Sequence, residues 1–315
     1  MFKRSPKKIN QILRIFLKLF NFYLIDKDNF RLVGSCVKKT ENLINFNKKI
    51  INLSLGYTNI SRKIKSLDIV YRYCPSVLLW NSSNNRNKRI VPLINKKELI
   101  KTSLKSLKNS IIFSNISKKI KINLHLVADQ SDLKFDTEIK KIFKQTPINL
   151  SMHQSELSGN RGSFLECCNI AKTCDDLIFF VEDDYLFEEN AIEEIIISYS
   201  KISTVLKKEI FLCPTDFPFY YDTLYKTSII LGHNTRWRFV GETLLTFLLS
   251  KKTYLKYETD IKKIGLKVNN PFEKPLHKIF KKVPCLSPIS SLAYHISTGF
   301  PSVSENWKKL WDKNC

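Results

Sequence analysis

The sequence is poor in glycine and has no apolar run long enough to cross a bilayer. Only 8 of its 315 residues are glycine, and none of them builds a phosphate-binding loop of the G-x-G-T-R type. No apolar stretch reaches the roughly 18–20 residues that a membrane-spanning helix needs. The eight cysteines include no C-x-x-C pair and no zinc-like spacing. We therefore expect reduced, buried thiols in a cytosolic protein, and neither a membrane-spanning chain nor a disulfide framework.

Acidic residues are scarce in the first two-fifths of the chain. Residues 1–122 contain 27 Lys and Arg against 5 Asp and Glu, a net charge of +22. Residues 123–315 contain 25 against 24, a net charge of +1. The basicity therefore belongs to the first part of the chain. So large a local excess predicts an acidic neighbour, which is anionic lipid, nucleic acid or a phosphorylated substrate.

The stretch "INQILRIFLKLFNFYLI", residues 9–25, is the most apolar part of this basic region. Arg14, Lys18 and Asn21 interrupt it at helical spacing, so that they share one side of a predicted helix. No small-residue cleavage site follows, which argues against a signal peptide. Two interpretations remain open: an interfacial helix on an anionic leaflet, or a helix that packs its apolar face on the main domain.

From about residue 67 the pattern changes to strands that alternate with helices. The predicted strands are 67–73, 121–132 with its polar turn, 148–153 and 176–183. The predicted helices are 95–111, 136–145, 162–174 and 188–202. This order predicts an α/β sandwich around a mainly parallel sheet. The expected domains are a basic, mostly helical extension (1–66), the α/β domain (67–300) and a C-terminal tail (301–315).

Two of the predicted strands end in acidic residues. Asp129 and Asp132 follow "LHLVA", and Glu182, Asp183 and Asp184 follow "LIFFV". Ligands of open α/β sheets bind beyond the carboxyl ends of the strands. Hard divalent cations prefer oxygen ligands, and Mg²⁺ commonly combines one or two carboxylates with substrate phosphates. The acids therefore favour a cation that bridges a diphosphate, although "EDD" alone is equally compatible with a cap on the next helix.

Several motifs in this order resemble those of the GT-A glycosyltransferases, especially the family-2-like enzymes and a bacterial "VEDDYL" subgroup. The stretch "LHLVADQSD" resembles the family's second strand and keeps Asp129, Ser131 and Asp132. "GNRGSFLECCNIA" resembles the helix before the metal motif, and "FFVEDDYLF" resembles the D-x-D strand. "TRWRFVGETLLTF" (235–247) and "CLSPISSLAYHI" (285–296) resemble later motifs of the subgroup. The resemblance covers roughly residues 67–300 and implies a Rossmann-like GT-A sandwich.

The resemblance also implies roles for the acidic residues. Asp129 is expected to contact the base or ribose of a nucleotide, and Asp184 is expected to be the firmest metal ligand. Glu182 is expected near the ribose and the metal, with Asp183 beside them. His295 is expected near the metal or the diphosphate, the alternative being an ordinary interior histidine. The expected metal ligands are thus Glu182, Asp184 and His295, and the expected cofactor is Mn²⁺ or Mg²⁺.

Basic residues near these motifs are candidates for binding the substrate. Arg72 ends the first strand, and Arg161 lies in the "GNRG" loop before a helix, where a diphosphate is favourably bound. Arg236 and Arg238 flank Trp237, and a guanidinium fork suits phosphate or sugar hydroxyls. The alternative for this triplet is a surface pair that brackets a core tryptophan. The expected substrate-binding set is Arg72, Asp129, Asp132, Arg161, Asp183, Arg236, Trp237 and Arg238.

The catalytic base is the point at which the sequence departs from the family. An inverting enzyme needs a carboxylate that takes the proton of the acceptor hydroxyl, and the usual late "E-D" pair is missing after Asp184. Glu242, at a predicted helix start after the "WR" segment, and Glu273, nearer the usual place of the acid, are both candidates. The choice between them, or another acid, stays open.

The resemblance implies a metal-dependent, inverting glycosyltransferase that uses a nucleotide-sugar donor. The implied acceptor is a glycan or a lipid-linked glycan in cell-surface polysaccharide synthesis. The expected location is cytoplasmic, and the basic first part of the chain, not the resemblance, leaves open a peripheral contact with the inner face of the membrane. A sugar-phosphate nucleotidyltransferase is disfavoured because the glycine-rich loop is missing. A basic nucleic-acid-binding protein is disfavoured because no zinc, helix-turn-helix or RNP motif accompanies the charge, so no nucleic-acid partner is expected.

Overall fold

The computed structural model describes residues 50–53, 56–76, 95–113, 116–221, 227–296, 302–303 and 306–315. All of them belong to Gly34–Cys315, which forms one compact unit. The predicted amphipathic helix at 9–25 lies outside the described residues. Among the residues described, no helix has both the length and the hydropathy that a membrane span requires.

Strands and helices alternate through most of this unit. The strands are β1 Ile50–Leu53, β2 Gly56–Asn59, β3 Ser66–Tyr73, β4 Lys121–Ala128, β5 Asn149–Gln154, β6 Leu177–Glu182, β7 Tyr185–Phe187, β8 Phe211–Leu212, β9 Ile229–Leu231, β10 Arg236–Phe239, β11 Phe247–Ser250, β12 Cys285–Ile289 and β13 Ala293–His295. The α-helices are α1 Lys96–Phe113, α2 Leu133–Ile142, α3 Gly159–Ala171, α4 Ala191–Leu206, α5 Lys251–Leu266, α6 Lys274–Phe280 and α7 Trp307–Asn314.

A nine-stranded sheet with the order β5-β4-β3-β6-β11-β8-β12-β10-β9 forms the centre. The four strands β5, β4, β3 and β6 are mutually parallel, as are β8 and β12, and the other neighbours are antiparallel. Parallel neighbours need a crossover, which helices α1, α2 and α3 provide between these strands. The predicted α/β fold with its parallel sheet is confirmed.

Helices cover both faces of this sheet, so its central strands are buried on both sides. Every residue of β3 is buried, which is typical of a central parallel strand. Alternate residues of β6 serve the two cores: Phe179 packs in the cluster with α1, α2 and α4, and Phe180 packs in the cluster with α3, α5 and α6. Apolar side chains within the central strands therefore belong to the cores, and the polar side chains of Arg72 and Glu182 lie at the carboxyl ends of β3 and β6.

One local prediction is wrong, and one region is described only in part. Residues 50–53 and 56–59, within the extension expected to be mostly helical, form the antiparallel hairpin β1–β2, whereas residues 1–49 lie outside the described residues. The segment after "RWRF" does not start a helix at Glu242, and it forms a loop that leads into strand β11. Leu244 and Leu245 have φ angles of +48° and +62°. Two consecutive residues in the left-handed region cannot belong to a right-handed helix.

Candidate active site

The carboxyl ends of the neighbouring strands β3, β4 and β6 lie side by side. In the register of the sheet, Tyr73 is opposite Ala128, and Arg72 is opposite Glu182. Asp129 directly follows Ala128, so the acids predicted at two strand ends share one edge of the sheet. The sequence predicted this juxtaposition because strands of one parallel sheet end on the same side.

Arg72 joins the end of β6 to the start of α3. Its guanidinium forms an ion pair with Glu182 and donates from Nη1 to the carbonyl of Asn160 at 2.8 Å. Burial raises the pKa of Glu182 to about 7. The charge of Arg72 lowers this pKa, whereas the charge of Asp184 raises it further. Glu182 therefore has an environment in which a further positive charge is favourable.

Asp184 and His295 are brought together by a small separate sheet. Strands β7 and β13 pair antiparallel, with His295 opposite Tyr185. The ring of His295 stacks on that of Tyr185 at a centroid distance of 4.8 Å, and His295 Nε2 lies 3.1 Å from Asp184 Oδ2. Burial favours a higher pKa for Asp184, but His295, Lys96 and Arg72 together hold the pKa below its ordinary value. The other oxygen, Asp184 Oδ1, is buried and has no hydrogen-bond partner among the described residues.

Asp183 points to a different part of the fold. Its Oδ1 accepts from Lys96 Nζ at 2.6 Å, and its Oδ2 accepts from the backbone N–H of Cys74 at 3.0 Å. Both oxygens are therefore engaged in tying the start of α1 to the end of β3. Lys96 had no signal in the sequence that set it apart from the other lysines.

Asp129 contacts the beginning of α3. Its Oδ2 accepts from the backbone N–H of Gly159 at 2.7 Å, and its Oδ1 is buried without a partner among the residues described. Gly159 has a φ of +82°, a conformation that glycine adopts without strain. Helix α3 begins here, so Arg161 lies in the first turn of the helix and not in a preceding loop, with its side chain exposed.

Both carboxylate oxygens of Asp132 have protein partners. It is the N-cap of α2, where Oδ1 accepts from the N–H of Phe135 at 2.7 Å. Its Oδ2 lies 2.7 Å from Lys97 Nζ, and 54% of the side chain is exposed. Asp132 thus fixes the start of α2 beside Asp129.

The three residues of "RWR" have different surroundings on β10. Trp237 is fully buried and donates from Nε1 to Ser198 Oγ at 3.2 Å. Arg238 is buried in an ion pair with Asp216. Arg236 is exposed. The buried position of Trp237 agrees with its interpretation as a core tryptophan. Arg238 differs from that interpretation, because it is buried beside Asp216 and is not a surface residue.

Glu242, Glu273 and His277 form a cluster near the loop before β11. A ligand atom of each lies within 4.8 Å of the others. Glu273 is 3% exposed and accepts from the N–H and Oγ1 of Thr243, each at 2.9 Å. Glu242 is half-buried, and burial, followed by the charge of Glu273, raises its pKa. Glu273 is therefore bound to the loop, whereas Glu242 is the more accessible of the two carboxylates.

Contacts connect this loop to the acidic edge. The N–H of Glu182 donates to Thr246 Oγ1 at 3.3 Å, and Tyr220 Oη donates to the carbonyl of Glu242 at 2.5 Å. The ring of Phe217 lies 6.1 Å from that of His295. These three contacts were not predicted from the sequence. The aromatic run "FPFYY" (217–221) contains two of the residues that make them, but no role was predicted for it.

Two carboxylates at the carboxyl ends of the strands offer oxygen atoms of the kind that a hard cation binds. Asp184 Oδ1 is an unpartnered carboxylate oxygen, and Glu182 supplies a second carboxylate nearby. Among the described residues, Glu182, Asp184 and His295 do not form a closed group with all three ligand atoms within 4.8 Å. The three predicted ligands are therefore not gathered into a ready-made metal site in this structure.

No protein-family model matches the chain, and no curated protein matches it. Similar solved structures include the glycosyltransferase GlyE of Streptococcus pneumoniae TIGR4, at 11% identity over 71% of this chain and 45% of that chain, with a TM-score of 0.40. S. aureus TarS 1-349 in complex with UDP is 10% identical over 73% of this chain and 60% of that chain, with a TM-score of 0.43. HddC from Yersinia pseudotuberculosis is 15% identical over 78% and 98%, with a TM-score of 0.40.

The chain thus spans about half the length of the first two proteins. Identities of 10–15% and TM-scores below 0.5 are too low to assign this chain to a family or to transfer a function.

Proposed function

We propose that the protein is a metal-dependent glycosyltransferase of the GT-A type, which moves a sugar from a nucleotide-diphosphate donor to a glycan or lipid-linked acceptor. The observation that carries the proposal is the convergence of distant residues on one sheet edge. Arg72, Asp129, Glu182 and His295 come from four separate motifs, yet β3, β4 and β6 end next to one another and β13 places His295 beside Asp184. Asp129 and Asp184 each keep a buried oxygen without a partner there, among the residues described.

The nucleotide would bind between Asp129 and the start of α3. The unpartnered Oδ1 of Asp129 is suited to accept a hydrogen bond from a ribose hydroxyl or a base N–H. Arg161 and the N-terminal turn of α3 are suited to the diphosphate, because a helix N-terminus favours negative charge. Asp132 and Asp183 then act by positioning α2 and α1, since their carboxylates are occupied by protein donors.

Asp184 and Glu182 would hold the divalent cation, and His295 would orient Asp184 through the contact of 3.1 Å. When bound, Mn²⁺ or Mg²⁺ neutralises the charge that develops on the departing diphosphate. Arg72 compensates the charge of Glu182 and keeps its carboxylate next to the site.

Glu242 is our candidate for the catalytic base. It would take the proton of the acceptor hydroxyl while that oxygen attacks the anomeric carbon and the nucleoside diphosphate leaves, which inverts the configuration. Glu273 would hold the loop, and burial followed by the charge of Glu273 would keep the pKa of Glu242 above its ordinary value, against the lowering effect of His277. Arg236, the exposed member of "RWR", is the residue of that triplet that we propose for contact with substrate.

Replacement of Asp184 tests the donor site. In a thermal-shift screen of UDP-, GDP- and CMP-sugars, we expect one donor to stabilise the wild-type protein by several degrees with Mn²⁺ present, since binding to the native state raises its stability. Asp184→Asn should lose this shift. Asp260→Asn is the matched control, because Asp260 is 45% exposed and pairs only with Lys263 among the described residues.

An equal shift in Asp184→Asn and wild type would refute the metal assignment. Release of pyrophosphate from a nucleoside triphosphate and a sugar phosphate would identify a nucleotidyltransferase instead. Stabilisation by nucleic acid alone would point to the basic nucleic-acid-binding alternative.

A further inference from the structure

A second group of metal-ligating side chains lies away from the edge that carries the proposed donor site. Asp68 on β3, His125 on β4 and Cys174 in the loop before β6 place one ligand atom each within 4.8 Å of the others. Asp68 is four residues before Arg72 on the same strand, so the two sites are separated by about 13 Å along β3. Sequence spacing could not reveal this group because its members come from three separate segments.

The separation of one pair of ligand atoms fits tetrahedral coordination. His125 Nε2 lies 3.3 Å from Asp68 Oδ1, where the two atoms share a hydrogen bond, and Cys174 Sγ lies within 4.8 Å of both. Zinc–nitrogen and zinc–oxygen bonds of about 2.0–2.2 Å at a tetrahedral angle separate the two atoms by about 3.3–3.5 Å. Cys174 Sγ adds a soft ligand, and the combination of thiolate, imidazole and carboxylate is one that zinc accepts.

Asp68 is held by donors that resemble the outer contacts of a metal ligand. Asn123 Nδ2 donates to Asp68 Oδ1 at 2.6 Å, and the N–H of Asp175 donates to Oδ2 at 3.1 Å. Asn123 in turn accepts from Asn149 Nδ2 at 3.0 Å. Such outer contacts orient the ligands of protein metal sites.

The electrostatics of this group also favour a cation. The side chain of Asp68 is 3% exposed; its partner in the structure is His125, and no lysine or arginine among the described residues forms an ion pair with it. In a metal site the imidazole is neutral, so the bound cation would supply the positive charge that this buried carboxylate needs. His153 adds a second imidazole, with its ring centroid 5.6 Å from that of His125, and its buried Nε2 has no partner among the residues described.

We propose that Asp68, His125 and Cys174 bind a zinc ion that stabilises the fold and is distinct from the cation of the donor site. In the structure the thiol of Cys174 donates to the carbonyl of Ile170 at 3.4 Å. Binding of the cation releases the thiol proton to solvent, so the affinity rises with pH. A water completes the tetrahedron.

Cobalt titration of the chelator-treated full chain tests this proposal. Co²⁺ takes the place of zinc and reports a bound thiolate by a charge-transfer absorption band. We expect the band to saturate at one Co²⁺ per chain in the wild type and to be missing in Cys174→Ser. Cys315→Ser is the matched control: Cys315 is an exposed thiol, and its loss should leave the band unchanged. Asp184→Asn should also keep the band, which separates this site from the proposed donor site.

The proposal is overturned if the wild type shows no band, if Cys174→Ser keeps it, or if Cys315→Ser loses it. His125→Gln provides a second test that leaves the thiol in place, should the serine variant fail to fold. We expect it to weaken Co²⁺ binding at least tenfold and to remove the increase in Tm that Zn²⁺ gives the wild type. Unchanged affinity in His125→Gln also overturns the proposal.

Discussion

Three adjacent carboxylates, those of Glu182, Asp183 and Asp184, have three different environments. Glu182 ends strand β6 and pairs with Arg72, Asp183 turns back to Lys96, and Asp184 faces His295. The turn at 183–184 between β6 and β7 separates them. Each therefore has its own basic partner, but burial and the charges of Asp184 and Asp183 still keep the pKa of Glu182 above its ordinary value.

At the residue scale, Glu242 and Glu273 differ in their contacts. Glu273 is hydrogen-bonded to Thr243 of the loop, whereas Glu242 is half-buried and more accessible. We expect Glu242→Gln to lower kcat by about 10²–10⁴ with the KM for the donor little changed, because a general base contributes on that order. In the wild type, kcat/KM should rise with pH through the pKa of Glu242. Because burial and Glu273 raise that pKa, the rise should occur at a higher pH than for an ordinary glutamate. Steady-state kinetics over a pH series measure both effects.

Glu273→Gln is the comparison for this prediction. It weakens the bonds to Thr243 and Leu245, so we expect a lower free energy of unfolding, by about 1–3 kcal/mol. A Glu242→Gln variant with wild-type kcat, beside a folded Glu273→Gln variant without activity, would assign the base to Glu273.

At the scale of elements, helix α3 packs closely against the loop that precedes it. This packing fixes the position of the Gly159 N–H, which donates a hydrogen bond to Asp129. A Cβ atom added at Gly162 would lie 2.2 Å from the carbonyl oxygen of Leu157, which is backbone and cannot simply rotate away. We expect Gly162→Ala to displace the start of α3 and to lower the free energy of unfolding by about 1–3 kcal/mol. Because the displacement would disturb the hydrogen bond between Gly159 and Asp129, we also expect weaker binding of the nucleotide-sugar donor. Urea unfolding and a donor titration measure the two effects.

Asn169→Ala on the same helix is the control. Asn169 is exposed, and we expect its replacement to change stability by less than about 0.5 kcal/mol. If Gly162→Ala matches this control in both measurements, α3 is not the element that sets the position of the donor site.

The strands that carry the predicted site were predictable because their apolar runs are long and uninterrupted. β3 and β6 were expected at 67–73 and 176–183 and are found at Ser66–Tyr73 and Leu177–Glu182. The pairing of β7 with β13 was not predictable, since each has three residues and they meet across more than 100 positions. The left-handed residues before β11 were also missed, because leucine has no intrinsic preference for that conformation. The site residues could therefore be named from motifs, while their partners required the fold.

At the scale of the whole molecule, the charge is divided between a basic first part and a nearly neutral remainder. We propose that the basic part holds the protein on an anionic membrane surface. Removal of residues 1–30 should release the protein from vesicles that contain phosphatidylserine, because each basic residue near such a surface contributes about 1 kcal/mol. Vesicle sedimentation at low and high salt measures this. Neutral vesicles are the control, and equal binding with and without the segment would contradict the prediction.

The pairing of Asp184 with His295 also has a consequence for biosynthesis. The two residues are 111 positions apart in the chain. At synthesis rates of about 5–20 residues per second, Asp184 leaves the ribosome roughly 6–20 s before its partner. During this interval the strands β3, β4 and β6 are already made, but the carboxylate at their edge has no imidazole. The nascent chain can thus pair the parallel strands β3, β4, β5 and β6 before the proposed metal site is complete, so a product truncated after β6 would lack both the later strands of the sheet and the imidazole of that site.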